Sequence, residues 1–325
     1  MLRTYGPGCD GSIIDAKVKR IPDGATWIDL EEPTQEEEAL VERCIHLNIP
    51  TQDEMAEIEP SSRLYERDNA FYMTISVLCG VVDETPSTTP ITFVLADKRL
   101  VTIRYQTPKP FRTFAEHIRR EPELARDSGT VLFRLLDAII DRLADELEAV
   151  AAEIEHLSSE IFQKELEDRR IPAEKLTRLL TSIGRAQTLV TKIRYTAVST
   201  ARMLSFLGGS SRLHQSAHAD LRHHVVSLTT DVTSLSEHSS FLSDNLTFLL
   251  DASLGLISIE QNAAMKLFSW AAIIFLPPTL IAGVFGMNFH YMPELSWHYG
   301  YPLALVLMLV SAVGPYFYFK RRGWI

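Results

Sequence analysis

With 325 residues, 42 acidic against 32 basic side chains and a formal net charge of −10, the chain is long enough for one large or two modest domains. It carries no basic nucleic-acid footprint. Three cysteines, Cys9, Cys44 and Cys79, are neither even in number nor at metal-ligand spacing, so they read as reduced thiols of a cytoplasmic domain.

Met1 to Gly11 has no apolar h-region, so no cleaved signal is expected. Residues 1–128 then alternate short apolar runs with turn signals, which predicts a cytoplasmic α/β or α+β domain. Strands are expected over Ala25 to Leu30, Ala70 to Val82, Ile91 to Val94 and Leu100 to Arg104. Thr34 is placed to cap a helix through Glu36, Glu37 and Glu38 to Cys44, with the acids in its first turn. Thr113 to Arg120 reads as another helix. No Gly-rich phosphate loop and no Ser/His/Asp or Cys/His constellation stands out, so no enzyme is expected.

Residues 129–207 turn helical. An acidic helix runs through Asp137, Asp141, Asp145, Glu146, Glu148, Glu153, Glu155 and Glu160. After a break near Arg170-Ile171-Pro172 a second helix continues to about Phe206, and the two predict an antiparallel hairpin. The acids read equally as a cation-attracting surface and as an ordinary solvated face. Gly208-Gly209-Ser210-Ser211 ends this segment. Over 212–265, Leu221, Val225, Leu228, Val232, Leu235, Leu242, Leu246, Leu249 and Leu256 keep a four-three spacing, with Ser239 and Ser253 at two of the seam places. That is a coiled-coil seam on a stalk helix that leads straight into an apolar run.

Two runs without charge follow, Leu267 to Phe285 and Tyr301 to Phe319, about fifteen residues apart. Each matches one bilayer thickness of helix. The expected layout is a first span over 266–286, a loop over 287–300, a second span over 301–319 and a basic tail over 320–325. No Lys or Arg lies between Lys266 and Lys320, so both flanks are expected in the cytoplasm and the loop outside. The loop carries Glu294, His290 and His298 and no cation. It suits a protein that receives positive ions, and it equally suits a short polar turn.

Residues 259–325 resemble the CorA family of divalent-cation channels. The likeness rests on Ile259-Glu260-Gln261-Asn262, on Phe275 through Pro277-Pro278-Thr279 to Gly283, on Gly286-Met287-Asn288-Phe289, on Met292-Pro293-Glu294-Leu295, on Gly300-Tyr301-Pro302 and on Tyr318-Phe319-Lys320. The resemblance implies a funnel-shaped homopentamer in the inner or plasma membrane, with the first span lining the pore and the second facing lipid. It implies influx of Mg²⁺, with Co²⁺ and Ni²⁺ also passing, no organic cofactor and no nucleic-acid partner. Gly286, Met287 and Asn288 would form the selectivity filter, and Asn262, Leu276 and Thr279 would line the pore.

Stepping back from Gly286 at the same four-three rhythm gives Gly283, Thr279, Leu276, Ala272 and Ser269 and reaches Asn262. A deeper apolar constriction of the family falls on Phe268, one place off that rhythm. Ala272 and Gly283 also fit a helix-packing surface. The family senses internal Mg²⁺ through carboxylates between neighbouring chains. Asp53 matches one of them, the usual stalk partner falls on Ser227, and Asp231 lies one turn further on. A related zinc transporter branch, favoured by His290 and His298, and a non-conducting membrane-anchored scaffold are the competing readings.

Overall fold

The computed structural model describes residues 1–18, 20–57, 59–81, 86–96, 98–162, 172–210, 219–287, 290, 292–293 and 297–322. It divides into two units, Met1–Leu250 and Asp251–Ile325.

The first unit is built on a seven-stranded sheet. Its strands are β1 (Leu2–Gly6), β2 (Cys9–Ile14), β3 (Trp27–Glu31), β4 (Leu64–Arg67), β5 (Ala70–Cys79), β6 (Ser87–Leu95) and β7 (Leu100–Arg104), in the order β2-β1-β3-β7-β6-β5-β4. Only β3 and β7 pair in parallel, with Trp27 opposite Leu100 and Leu30 opposite Ile103. Every residue of β5 is buried, as expected of a strand covered on both faces.

Short helices close one face. Thr34 caps α1 (Gln35–Ile45) with a full capping box: its hydroxyl accepts the Glu37 N–H, and the Glu37 carboxylate accepts the Thr34 N–H at 2.9 Å. The same device, Thr51 with Glu54, starts α2 (Gln52–Ala56). Then come α3 (Pro60–Arg63) and, after β7, α4 (Lys109–Arg120). Leu2, Ile28, Leu30, Leu40, Val41, Met55, Val101 and Ile103 pack together under α1 and α2. On the opposite face the rings of Trp27 and Phe114 lie 5.6 Å apart, and those of Phe93 and Phe111 6.1 Å.

A buried charge network ties the parallel pair together. Arg104 donates from Nε to Asp29 Oδ1 at 3.1 Å, from Nη2 to Asp29 Oδ2 at 2.8 Å and from Nη1 to Glu31 Oε1 at 3.1 Å. Thr102 donates to Asp29 Oδ1 at 2.7 Å and accepts the Trp27 indole N–H at 2.9 Å. The Arg104 and Asp29 side chains are each 3% exposed. Burial works against the Arg104 charge, yet Asp29 and Glu31 outweigh it and hold its pKa above the usual arginine value. Burial also pushes the Cys79 thiol up to about 12, so it stays protonated.

Two long helices follow, α5 (Ser128–Phe162) and α6 (Ala173–Gly209). Glu160 near the end of α5 accepts from Lys175 near the start of α6 at 2.7 Å, which makes them an antiparallel pair. α6 also reaches the sheet: Ser199 Oγ accepts the Ser76 N–H, and Phe206 meets Phe71 edge-on.

α7 (Ala219–Phe285) is 67 residues long and runs through Pro277 and Pro278 without interruption. Its seam is filled inside the single chain. Val225, Leu228, Val232, Ser239, Leu242, Leu246 and Leu249 are all buried. His224 lies 5.8 Å from Phe133, and Phe248 5.9 Å from Phe162, so α7 runs parallel to α5. Gln187 of α6 donates to Ser243 at 2.8 Å, and Gly208 sits beside Val225, so α7 is antiparallel to α6. The coiled-coil partner of this seam is therefore the chain's own helical pair. Ser239 fits there because it is small and its hydroxyl donates to its own helix, at Ser236 O.

Candidate membrane channel face

The second unit holds the end of α7 and α8 (Gly300–Arg321). Both helices are long and apolar enough to cross a membrane, with mean hydropathy of 1.9 and 1.8 in their most apolar windows, of which 0% and 6% is buried. A soluble core helix of that composition would be covered, so the exposed surface calls for lipid or for other copies.

The two helices cover each other along narrow strips. On α8 the covered or half-covered residues are Gly300, Ala304, Met308, Ser311, Ala312, Pro315 and Phe319, a ladder of mostly four- and three-residue steps that starts with small residues. On α7, from Trp270 on, they are Trp270, Ala271, Ile273, Ile274, Pro277, Pro278, Ile281 and Phe285. Trp270 and Phe319 meet edge-on with ring centroids 5.1 Å apart.

At about 100° per residue, the opposite side of α7 carries Met265, Phe268, Ala272, Leu276, Thr279, Gly283 and Gly286, with Ser269 and Asn262 at its margin. All nine are exposed. Phe268 and Leu276 are 73% and 66% exposed, so the uncovered side holds bulky apolar groups as well as small and polar ones. Phe268, off the four-three rhythm, nevertheless falls on this face. Met265, which does keep that rhythm and is 65% exposed, belongs to the face too and was passed over in the sequence.

Local chemistry on this face is specific. Thr279 donates its hydroxyl hydrogen to Phe275 O at 2.6 Å. Its oxygen is left as an acceptor only. Pro277 and Pro278 have no N–H to offer the carbonyls of Ile273 and Ile274. The helix ends at Gly286, whose N–H closes on Ala282 O at 2.9 Å; a Cβ there would come within 3.0 Å of that same oxygen. Asn288 and Glu294 lie outside the described residues.

A family model described as "CorA-like Mg2+ transporter protein" matches residues 22–321. The chain belongs to the CorA family. A magnesium transport protein CorA of Haemophilus ducreyi is 34% identical over 301 residues, covering 93% of this chain and 92% of that protein. The complete CorA magnesium transporter structure from Methanocaldococcus jannaschii superposes with a TM-score of 0.75 at 20% identity, over 100% of this chain and 98% of that one. The cytoplasmic domain of ZntB from Vibrio parahaemolyticus superposes with a TM-score of 0.53 at 11% identity, over 77% of this chain and 91% of that one, which shows a shared fold. The CorA family comprises ion transporters, not enzymes.

The two candidate regulatory acids have different neighbours. Asp53 sits in the first turn of α2; the Tyr105 phenol is raised by burial, then by Glu38 and last by the Asp53 charge. Asp231 is exposed on α7. The Asp141 carboxyl is held up by burial and then by Asp137, Asp145 and Asp231. Among the described residues no group of three His, Cys, Asp or Glu side chains is arranged to hold a metal.

Proposed function

We propose that this CorA-family protein is an oligomeric channel of the inner membrane that admits Mg²⁺, with Co²⁺ and Ni²⁺ as further cargo. One observation carries the reading: the charge-free segment of α7 leaves uncovered a face of small, hydroxyl and apolar groups, on the side away from α8, and that face runs up to Gly286, the first residue of the Gly-Met-Asn triplet in the sequence. A two-helix hairpin cannot enclose a pore, so several copies must set these faces around one axis. By the family's pattern the number is five, with both termini in the cytoplasm.

Mg²⁺ sheds its water shell reluctantly. A ring of Asn288 carboxamide oxygens would accept hydrogen bonds from the ion's own waters, and its neutrality would let the ion leave again. Thr279, whose hydrogen is already committed to Phe275 O, would accept from the same waters further along. Leu276, Phe268 and Met265 would form the apolar constrictions that close by dewetting. Moving a divalent ion inward yields roughly 4.6 kcal/mol per 100 mV of membrane potential. That drive asks for no nucleotide-hydrolysing site and no organic cofactor. Control by internal Mg²⁺ would rest on Asp53 and Asp231 approaching each other across neighbouring copies; if Asp53→Ala with Asp231→Ala leaves closure by internal Mg²⁺ unchanged, that control fails.

Flux into liposomes containing the purified full-length protein tests the reading. Mg²⁺ entry that falls at least about ten-fold in Asn288→Ala supports it. Zn²⁺ entry without Mg²⁺ entry would move the protein to the zinc branch, and no flux of either ion would make it a membrane-anchored scaffold.

A further inference from the structure

The end of the second unit opposite the Gly-Met-Asn triplet carries a second chemistry. From Gln261 to Ile325 the chain has four cations, Lys266, Lys320, Arg321 and Arg322, and one acid, Glu294 in the loop at the other end. The cations gather at one level. Lys266 lies one helical turn before Trp270, and Trp270 packs on Phe319, the residue before Lys320. All four are exposed.

Two of them are held on aromatic faces. Lys320 Nζ stands 5.8 Å from the centre of the Tyr316 ring, and Arg322 Cζ 5.6 Å from that of Tyr318. Stacking uses the flat face of the guanidinium and leaves its N–H donors free at the edge, where a phosphodiester accepts two of them side by side. An exposed Lys or Arg at a helix C-terminus is in part explained by the helix dipole. The dipole does not explain why the heads are turned back onto Tyr316 and Tyr318, rings that stand 39% and 57% exposed at the rim of an apolar span. Side chains in this arrangement hold a positive charge at interfacial depth, where the available anion is a lipid headgroup.

We infer that the two pairs, Lys320 on Tyr316 and Arg322 on Tyr318, which leave α8 on opposite sides at about 100° per residue, form with Lys266 and Arg321 beside them a collar of headgroup sites for anionic phospholipid. The inference rests on the two helices being membrane spans, and it is independent of which ion the protein carries. A lipid such as phosphatidylglycerol brings its diester to Lys320 and its acyl chains along Leu305, Leu309 and Val313, which lie on the same side of α8 as Tyr316 and Lys320. Phosphatidylcholine brings the same diester with a compensating cation and should bind less well.

Native mass spectrometry of the full-length protein in detergent, titrated with each lipid, tests this. Phosphatidylglycerol is expected to be retained about ten-fold more than phosphatidylcholine. Lys320→Gln with Arg322→Gln should bring the two to the same level. Tyr316→Leu with Tyr318→Leu, which keeps every charge, should lower phosphatidylglycerol retention about three-fold. Equal retention of the two lipids by the unaltered protein overturns the site. So does a charge variant that holds phosphatidylglycerol as before. A tyrosine variant without effect would reduce the finding to diffuse attraction, and displacement of the lipid by free glycerol phosphate would make it a soluble-phosphate site; either outcome overturns the inference as well. Protein that prefers phosphatidylglycerol as expected yet passes no Mg²⁺ would count against the channel reading alone.

Discussion

The two units solve opposite problems. In Met1–Leu250 the apolar side chains are inside and the buried charges have partners; Arg104 alone is matched by Asp29 and Glu31. In Asp251–Ile325 the large apolar side chains are outside, and the segment from Gln261 on has almost no charge. Within the first unit the single chain is its own solvent barrier. In the second, burial is deferred to lipid and to other copies. Position in the chain thus decides what a leucine does: Leu246 is 1% exposed and holds three helices together, whereas Leu276 is 66% exposed on the proposed pore face.

The largest expected effect lies in the first unit. Replacing Arg104 by Met leaves the Asp29 carboxylate buried and unmatched, since Thr102 remains as its only other donor on the parallel pair. Removing one partner of a buried pair costs about 3–5 kcal/mol. Hydrogen exchange of β3 and β7 amides in the full-length protein should accelerate accordingly. If Arg104→Met exchanges like the parent, the two units are not as different in their use of charge as the geometry indicates.

A pair of leucine substitutions sharpens the same contrast. Leu246→Ala should cost about 2–5 kcal/mol by leaving a cavity in the three-helix core, read as faster exchange in α5 and α6. Leu276→Ala should leave exchange in those helices unchanged and instead raise Mg²⁺ flux under closing conditions, because an apolar constriction has been widened. Equal destabilisation by the two would mean that Leu276 is a packing residue.

Much of this contrast was legible in the sequence, for physical reasons that differ by element. Thr34 with Glu37 is a local signal, so the start of α1 could be read without tertiary knowledge. α4 begins at Lys109, four residues ahead of the expected Thr113: Pro108 is its N-cap and Pro110 lies in its first turn, positions that need no N–H. The β1–β2 hairpin, turned at Pro7-Gly8, was not among the expected strands. Four-three spacing revealed the α7 seam but not its occupant, since a seam filled by α5 and α6 has the same period as one filled by another copy. The proposed pore face was half legible. Rhythm located Thr279 and Leu276 and passes through Met265 too, but only the position of the α8 strip brings Phe268 onto the same side.

The smallest expected effect concerns the Thr34 cap. Thr34→Ala removes an acceptor for the Glu37 N–H and should cost about 1 kcal/mol. Glu37 adds a pH dependence. Burial raises its carboxyl, but the Thr34 N–H and the Met1 amino group outweigh burial and lower it overall. A carboxyl lowered in the folded state contributes stability above its unfolded pKa, about 4.3, and loses that contribution as pH falls through the folded value. Glu37→Gln should therefore be less stable than the parent at pH 7, and the gap should close as pH falls below about 4. Exchange of α1 amides across that range reads it directly. A gap that persists at low pH would mean that Glu37 acts through packing rather than through its charge, and that the first unit relies less on matched charges than Arg104 suggests.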